Sequence, residues 1–552
     1  MAKVVTESFR VESTDEFVKS FADAAGNDYY IMGSSVTQDP EISNTQKSIR
    51  EFQRKVVFGN KIDDSSVKYM FAKKPWVSGT IYDAFDDEQD MSTKNFYVTV
   101  LGGNGQINES NYNVFKCIRN NNGGPSTQTP SDIGAETNYE VTLGDGYVWK
   151  YMFDVPPAQY LLFGTSKFLP YVANQDIIDQ STQGISDVVI ESVDEGGLAP
   201  YLVGSETNPS QAIVTAVSTP GDYVPGVEQT WELRLSCSRL VKSSVGAYQN
   251  MYFRVVDDED IFDITDSRVP NDDDKSLIIQ IKSDRNLISF SDKFCEIVPK
   301  VEISPPDGST GASRAIAYGL VNSLGTLKNI AFISKGSGYT FATAELLQPP
   351  SANFETTDIR PVVTPKGGHG SNPVHELFMS RVATVTSFIT DVNTSIPGTN
   401  SYTKVGLVKN PSFVDSDGND IASLDDFDNR VKLVINTSQL LDSQADVGFY
   451  VEQTIGTQTV SGIIHEVKFV NNATEIYLVD TVGAYNGKFQ PGQPFKIKLT
   501  ATSPNTSFEG TINSIRQNTY VPYSGEVLHF VDFDPITRTL TSKEKIKLIF
   551  DF

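Results

Sequence analysis

The spacing of apolar residues changes along the chain, from a helical period near the start to a period of two afterwards. Ser13 begins a capping-box pattern, and the apolar residues after it predict a short amphipathic helix over 14–25. A second helix is predicted over 45–58, with Asn44 as its cap and Gly59 at its end. Beyond this point apolar residues recur at every second position, which indicates β strands.

Three alternating segments are separated by loops rich in Gly, Asn and Pro, a pattern typical of an antiparallel meander. The predicted strands are 95–101, 112–118 and 147–153. The third carries four aromatic residues on one face, namely Tyr147, Trp149, Tyr151 and Phe153. Such a face either belongs to the core or stacks sugars or bases, and its place within a meander favours the core.

The middle of the chain shows a weak internal repeat. Segments 185–202 and 327–346 share a strand, a polar step, a Gly-rich turn and a second strand, and they predict two similar β modules in an inserted all-β domain. The predicted fold is mainly β, α+β in detail, with an antiparallel β-sandwich body and a few short helices. The body is assigned to 1–175 and 356–552, and the inserted domain to 176–355.

The amino-acid composition supports a mainly β fold and excludes some classes of binding partner. Among 552 residues, 32 Phe and 23 Tyr outnumber 3 Trp, which suits pleated surfaces. The net charge of −24 opposes binding to a phosphate backbone, so no nucleic-acid partner is expected. No run of eighteen apolar residues and no apolar leader are present, so neither membrane insertion nor secretion is expected. Cys117, Cys237 and Cys295 lie far apart, and they predict neither a disulfide framework nor a zinc cluster.

Two imidazoles and a carboxylate close in sequence, His369, His375 and Glu376, have side chains that bind transition metals. Their spacing matches no standard metal motif. The same residues fit a Gly-rich loop that leads into a helix, with Asn372 as its cap and Pro373 at its first position. The local pattern favours the loop and helix, and the metal site stays open as the alternative.

Other short motifs are weaker. "DSDGND" (415–420) resembles a calcium loop, but its glycine falls too early and no glutamate closes it, so a surface turn is favoured. "GGNGQ" (102–106) fits a hairpin turn better than a phosphate cradle. No Gly-x-Ser-x-Gly elbow occurs, and no catalytic residue, cofactor or metal is predicted. Paired carboxylates leave a glycosidase open as a separate hypothesis.

Five segments form an ordered set along the chain. They are "KKPWVSGTIYDAFDD" (73–87), "NVFKCIRNNNGGPSTQTP" (113–130), "DGYVWKYMF" (145–153), "KGGHGSNPVHEL" (366–377) and "YSGEVLHFVDFDPITR" (523–538), which runs into the C-terminal "EKIKLIFDF". In order and separation this set resembles the baseplate wedge subunit of T-even-like contractile-tailed bacteriophages, the gene product eight family. The resemblance covers roughly residues 1–175 and 360–552, and the middle of the chain departs from it.

The resemblance implies a structural role and no catalytic residues. It implies a homodimer within each wedge of a virion tail baseplate, assembled in the host cytoplasm and in contact with other wedge proteins. Such a part holds its neighbours in register while the baseplate rearranges at the host surface. The structural or interface candidates are Trp76, Tyr82, Tyr147, Trp149, Tyr151 and His369. The alternative is a glycan-binding adhesion module that contacts host-surface glycans through the inserted domain.

Overall fold

The structure is a computed structural model with strands as its main element. It describes residues 5–22, 26–35, 45–102, 111–131, 139–192, 212–238, 241, 244–256, 258, 260–270, 273–308, 311–321, 326–347, 358–389, 402–436, 447–470, 473–483, 487–533 and 543–552. Strands make up 48% of the structure and helices 12%, so the predicted mainly β class is confirmed.

The elements are numbered in chain order. The helices are α1 (Glu7–Lys19), α2 (Gln46–Arg54), α3 (Pro157–Phe163), α4 (Gln175–Gln180) and α5 (Pro373–Glu376). The first strands are β1 (Tyr29–Ser34), β2 (Val56–Ile62), β3 (Val67–Ala72), β4 (Tyr97–Leu101), β5 (Tyr112–Asn120), β6 (Glu140–Thr142), β7 (Tyr147–Val155), β8 (Phe168–Pro170) and β9 (Ile185–Ile190). The next are β10 (Ala212–Ser218), β11 (Gln229–Cys237), β12 (Met251–Val255), β13 (Ile261–Arg268), β14 (Ser276–Ser283), β15 (Phe294–Ile303), β16 (Ile316–Val321), β17 (Leu327–Ser334), β18 (Ala344–Leu346) and β19 (Ile359–Val363). The last are β20 (Arg381–Ile389), β21 (Lys404–Lys409), β22 (Phe413–Val414), β23 (Asp420–Ile421), β24 (Asp426–Asp428), β25 (Val431–Ile435), β26 (Tyr450–Ile455), β27 (Gln458–Val470), β28 (Ala473–Gly483), β29 (Pro494–Lys498), β30 (Thr506–Thr511), β31 (Ser514–Arg516), β32 (Glu526–Asp532) and β33 (Lys543–Asp551).

Contacts within the chain define two compact units. The first unit comprises residues 1–72, 158–171 and 378–552, and the second comprises 73–157 and 172–377. The division predicted from the sequence differs, because it placed the meander strands with the body. In the structure these strands belong to the same unit as the inserted segment.

The first unit contains a β-sandwich. A five-stranded sheet has the order β24-β2-β1-β21-β32, and a four-stranded sheet has the order β33-β20-β3-β8. Side chains from both sheets share one buried core, for example Leu407 from the larger sheet and Leu548 from the smaller one. A seven-stranded sheet, β30-β29-β26-β27-β28-β25-β31, has a separate apolar core.

The predicted boundaries of the first helix are wrong. Helix α1 begins earlier, because the side chain of Thr6 caps it by accepting a hydrogen bond from the Phe9 N–H at 3.3 Å. Ser13 is not the cap: it lies inside the helix, where its Oγ donates to the carbonyl of Phe9. Ser13 has the capping-box glutamate three residues later, Glu16, whereas Thr6 has Phe9 at that position, so the sequence pattern favoured the wrong hydroxyl.

The second helix is also shorter than predicted. Thr45 caps α2, and the predicted cap Asn44 lies outside the described residues. The helix ends at Arg54, and the β-branched pair Val56 and Val57 begins β2. Gly59 does not close the helix: it lies within β2, where a Cβ would come within 2.4 Å of the ring of Phe427.

The second unit contains the predicted meander strands. Their sheet has the order β4-β5-β7-β6, so β7 pairs between β5 and β6 instead of lying at an edge. Six further strands, in the order β10-β11-β14-β13-β12-β15, form a closed barrel because β15 also pairs with β10. Trp231, Leu233 and Phe253 are among the side chains that fill it.

The described residues include the whole of the second predicted β module and only part of the first. In the second, β17 leads into a Gly-rich turn and then β18, as predicted, with Gly336 and Gly338 at φ of 65° and 78°. In the first, β9 forms, and the segment that would complete the module lies outside the described residues.

Candidate functional site

The aromatic stripe of β7 lies inside the second unit. Tyr147, Trp149 and Phe153 are fully buried, and Tyr151 is 6% exposed. The rings of Tyr147 and Trp149 stack at 5.6 Å, and Tyr82 meets Trp149 edge-on at 5.4 Å. The structure therefore places this stripe in the core, where no face of it is open to a glycan.

The Gly-Asp-Gly turn before β7 fastens a neighbouring loop. The carboxylate of Asp145 accepts hydrogen bonds from the main-chain N–H groups of Thr127 at 2.7 Å, Gln128 at 3.0 Å and Tyr147 at 3.2 Å. Burial alone would raise the pKa of Asp145, but these hydrogen bonds outweigh it and lower the pKa. Asp145 is thus a structural tie between the third predicted strand and the loop at 121–130.

The opposite face of the same sheet holds a buried charged cluster. Lys116 on β5 lies directly opposite Lys150 on β7 and is fully buried. Its Nζ donates to Oε2 of Glu376 at 2.8 Å and to Nδ1 of His369 at 2.9 Å. The ring of Phe85 lies 4.0 Å from the same ammonium. We refer to Lys116, Glu376, His369 and their partner Ser186 as the buried network.

Local sequence explains how the loop before α5 supplies two members of this network. Asn372 caps α5 through its side-chain oxygen and Pro373 begins it, as the sequence predicts. Gly370 has a φ of 91°, and a Cβ there would come within 2.8 Å of Ile177. The loop can therefore turn tightly enough for Oε1 of Glu376 to accept from the N–H groups of Gly370 at 2.8 Å and Asn372 at 3.3 Å.

The hydrogen bonds of His369 fix the position of its proton. An ammonium has donors only, so Nδ1 must accept from Lys116 and the ring proton must lie on Nε2. Nε2 therefore donates to Oγ of Ser186, 2.7 Å away. A serine nucleophile needs the reverse arrangement, with the imidazole accepting the hydroxyl proton. Ser186, His369 and Glu376 resemble a catalytic triad in connectivity, but His369 has no lone pair left to activate Ser186.

The protonation states agree with this geometry. Burial would raise the pKa of Glu376, but the charge of Lys116 and hydrogen bonds hold it at about 2. Burial and the same ammonium lower the pKa of His369 to about 3. Burial lowers the pKa of Lys116, and Glu376 partly offsets that effect. At neutral pH the network is therefore an ion pair beside a neutral imidazole.

A metal ion does not fit the predicted set of His369, His375 and Glu376. The ammonium of Lys116 already occupies the position between His369 and Glu376 where a cation would bind. A second cation there would meet that charge directly in a buried site. The favoured prediction of a loop leading into a helix describes this segment. The calcium-like segment 415–420 likewise forms the turn between β22 and β23, with Asp420 as the first residue of β23.

Two cavities lie near the network, and several of the polar side chains that line them form hydrogen bonds within the chain. The smaller, ≈250 Å³, is lined in part by Ser186, Arg119 and Asp187. Nε of Arg119 donates to Asp187 at 2.9 Å, and Nη2 donates to the carbonyl of Ile330 at 3.0 Å. The larger, ≈520 Å³, shares Arg119 and Asp187, and there Asn122 donates to the carbonyl of Lys328. In the described part of the chain no strand pairs with the outer edge of β17, and these side chains donate to its carbonyl groups instead.

The structure separates the predicted site residues into two groups. Five lie together in or against one aromatic core cluster, namely Trp76, Tyr82, Tyr147, Trp149 and Tyr151. His369 lies across the sheet in the buried network. Lys116 and Ser186 are not among the residues predicted from the sequence, although a lysine between Phe115 and Cys117 in an apolar strand is a usable sign of a buried charge.

Comparison with protein-family models and with curated protein sequences gives no match for this chain. Among the described helices, none combines the length and the apolar character that crossing a bilayer requires.

Proposed function

We propose that the chain is a structural subunit of the baseplate wedge in a contractile-tailed bacteriophage. In this role it forms part of each wedge as a homodimer, contacts other wedge proteins and keeps them in register during the host-triggered rearrangement. The proposal starts from the ordered set of five segments that resembles the gene product eight family. Its location would be the virion tail, assembled in the host cytoplasm.

One structural observation carries the proposal: separated segments of the resemblance meet at the buried network. Segment 73–87 supplies Phe85, segment 113–130 supplies Lys116, and segment 366–377 supplies His369 and Glu376. These contacts span more than two hundred residues of sequence and lie within one unit.

A catalytic set would present a free base to the cavity that Ser186 lines. Here Lys116 and Glu376 form a sealed ion pair beside an imidazole whose proton already faces Ser186. A set of residues that serves to fix the fold in this way suits a protein that works through its shape.

The glycan-binding alternative gains no specific support from the inserted domain. Aromatic platforms for sugars use exposed rings, yet Trp231 and Tyr248 are buried in the barrel core. Among the described aromatic side chains of 176–355, those exposed by more than a third are Phe294 and Phe341. Glycan contact stays a prediction, and binding of the purified chain to a glycan array would test it.

A deletion and complementation experiment tests the proposed function. A phage that lacks the chain should assemble heads while failing to complete baseplates, as seen by negative-stain electron microscopy. Complementation with Ser186→Ala should restore baseplates, because the proposal gives Ser186 no chemical role. Complete baseplates without the chain would contradict the proposal, and failure of a folded Ser186→Ala chain would point to catalysis.

A further inference from the structure

The edges of the β-sandwich in the first unit differ in length. One edge strand of each sheet is short: β24 in the larger sheet and β8 in the smaller sheet have three residues each. Strand β8 also ends at Pro170, which has no N–H. The other two edges end in β32 with seven residues and β33 with nine. Short strands and proline block pairing with other chains. In the described part of the chain, no strand pairs with the outer side of β32 or β33.

These two long edges lie next to each other. The ring of His529 on β32 contacts the ring of Phe550 on β33 with centroids 5.7 Å apart. Among the residues that the structure describes, the sandwich therefore has two long edges, β32 and β33, that lie side by side and pair with no further strand.

The main chain of β33 faces outward at alternate residues. Phe552 N–H donates to the carbonyl of Ser380, and the register with β20 runs without a bulge from Asp551 to Lys543. Since bonding alternates along an antiparallel strand, even-numbered residues bond to β20. The N–H and C=O groups that face away belong to Lys543, Lys545, Lys547, Ile549 and Asp551.

The charges along this edge are complementary in one orientation. In antiparallel pairing of β33 with a copy of itself, centred on Lys547, each Lys543 lies opposite Asp551 of the other copy. Each Lys545 then lies opposite Ile549, which is 39% exposed. Parallel pairing would instead place like charges side by side, which is unfavourable.

Lysines on an edge strand usually discourage such pairing, but two of these are engaged within their own chain. Nζ of Lys545 donates to the carbonyl of Leu161 at 3.0 Å, and Nζ of Lys547 donates to the carbonyl of Gly164 at 2.6 Å. Both carbonyls belong to the end of α3 or the residue after it. These ammonium groups are thereby held against α3. The central Lys547 pair is the one directly opposed like-charge contact in the antiparallel register, whereas the parallel register would place each of the four charged outward-facing residues opposite its own copy.

We propose that β33 pairs antiparallel with β33 of a second copy, so that the two four-stranded sheets become one continuous sheet. The five outward-facing residues of each strand would form about ten main-chain hydrogen bonds across the two-fold axis. The inference rests on the dimeric state in the proposed function and adds to it the surface, the register and the orientation.

A symmetric disulfide tests the register in the full chain. Lys547→Cys places two thiols on the two-fold axis, at a Cα separation of about 5.5 Å, which suits a disulfide. The native cysteines are buried and do not compete. Mild oxidation should give a covalent dimer on a non-reducing gel. The matched control is Lys496→Cys, at an exposed position on β29, which should stay monomeric on the gel.

Charge exchange tests the orientation by light scattering and sedimentation. The wild-type chain should show about twice its 60.6 kDa mass. Lys543→Glu should weaken dimerisation by about tenfold, since it creates two like-charge contacts. Adding Asp551→Lys should restore it in part, because this change also removes the ion pair of Asp551 with Arg381 of its own chain at 2.8 Å. The control Lys496→Glu should have no effect.

The outcomes separate this inference from the proposed function. A wild-type dimer that shows neither the Lys547→Cys cross-link nor sensitivity to Lys543→Glu would overturn the β33 interface and leave the dimer in place. A wild-type monomer at all concentrations would remove both the interface and the dimeric state. Neither result depends on whether the chain is located in a baseplate. That location is tested separately, by electron microscopy of phage particles.

Discussion

Lys116→Met is the most informative perturbation of the buried network. It keeps an unbranched apolar side chain that ends one atom earlier and removes the ammonium, so Glu376 stays buried without its opposite charge. Removing one partner of a buried ion pair typically costs about 3–5 kcal/mol of unfolding free energy. The hydrogen bonds from Gly370 and Asn372 to Glu376 remain, so we expect a cost of about 3 kcal/mol, near the lower end.

Tryptophan fluorescence during urea unfolding can measure this cost in the second unit alone. All three tryptophans lie in that unit, so the signal excludes the first unit. The matched control is Lys335→Met, which breaks the half-exposed pair with Glu140 and should cost less than about 1 kcal/mol. The double variant Lys116→Met/Glu376→Gln removes both charges and should recover most of the loss.

The result that would refute this reasoning is a cost for Lys116→Met no larger than that of Lys335→Met. It would mean that, once the ammonium is gone, Glu376 becomes protonated or hydrated with little loss of unfolding free energy. A double variant as unstable as the single one would show that packing around Phe85, and not the unpaired charge, accounts for the loss.

Three further predictions concern the same unit. The stability of this unit should fall as pH drops from about 6.5 towards 3. On folding, the pKa of His369 falls from 6.5 to about 3 and that of Glu376 falls from 4.5 to about 2, so the unfolded chain binds protons more readily than the folded chain. A urea midpoint, measured by fluorescence, that does not change over this pH range would contradict the prediction. Asp145→Ala leaves three main-chain N–H groups without their acceptor, and it should lower the unfolding free energy by about 1–3 kcal/mol in the same fluorescence measurement. The control Asp415→Ala removes a similar turn acceptor in the first unit and should leave that signal unchanged. A fluorophosphonate probe should fail to label Ser186, and a labelled Ser186 peptide in mass spectrometry would show that the proton on His369 had been assigned wrongly.

Periodicity was a good guide to the strands and a poor one to the helix ends. The alternation of apolar and polar residues identified the strand that contains Trp149, because successive side chains of any strand point to opposite faces of the sheet. The start of α1 was predicted at the capping-box pattern of Ser13, whereas in the structure Thr6 caps the helix through a local hydrogen bond from Phe9 N–H. The predicted helix over 45–58 ran into the first three residues of β2, since Val56 fits a helical spacing and is also a strand former.

The buried network could be predicted only in part. The loop geometry at Asn372 and Pro373 follows from local rules, so α5 was expected. The pairing of Glu376 with Lys116 joins residues far apart in the chain, and nothing local indicates it. The closed barrel is equally nonlocal, because it depends on a short pairing between β10 and β15.

A cryo-electron microscopy reconstruction of intact particles tests the central claim most directly. The account predicts density for the β-sandwich and the barrel within the tail baseplate, in pairs related by a two-fold axis, before and after contraction. Density for this chain in the head, the sheath or the fibres, or its absence from purified particles, would contradict a baseplate role.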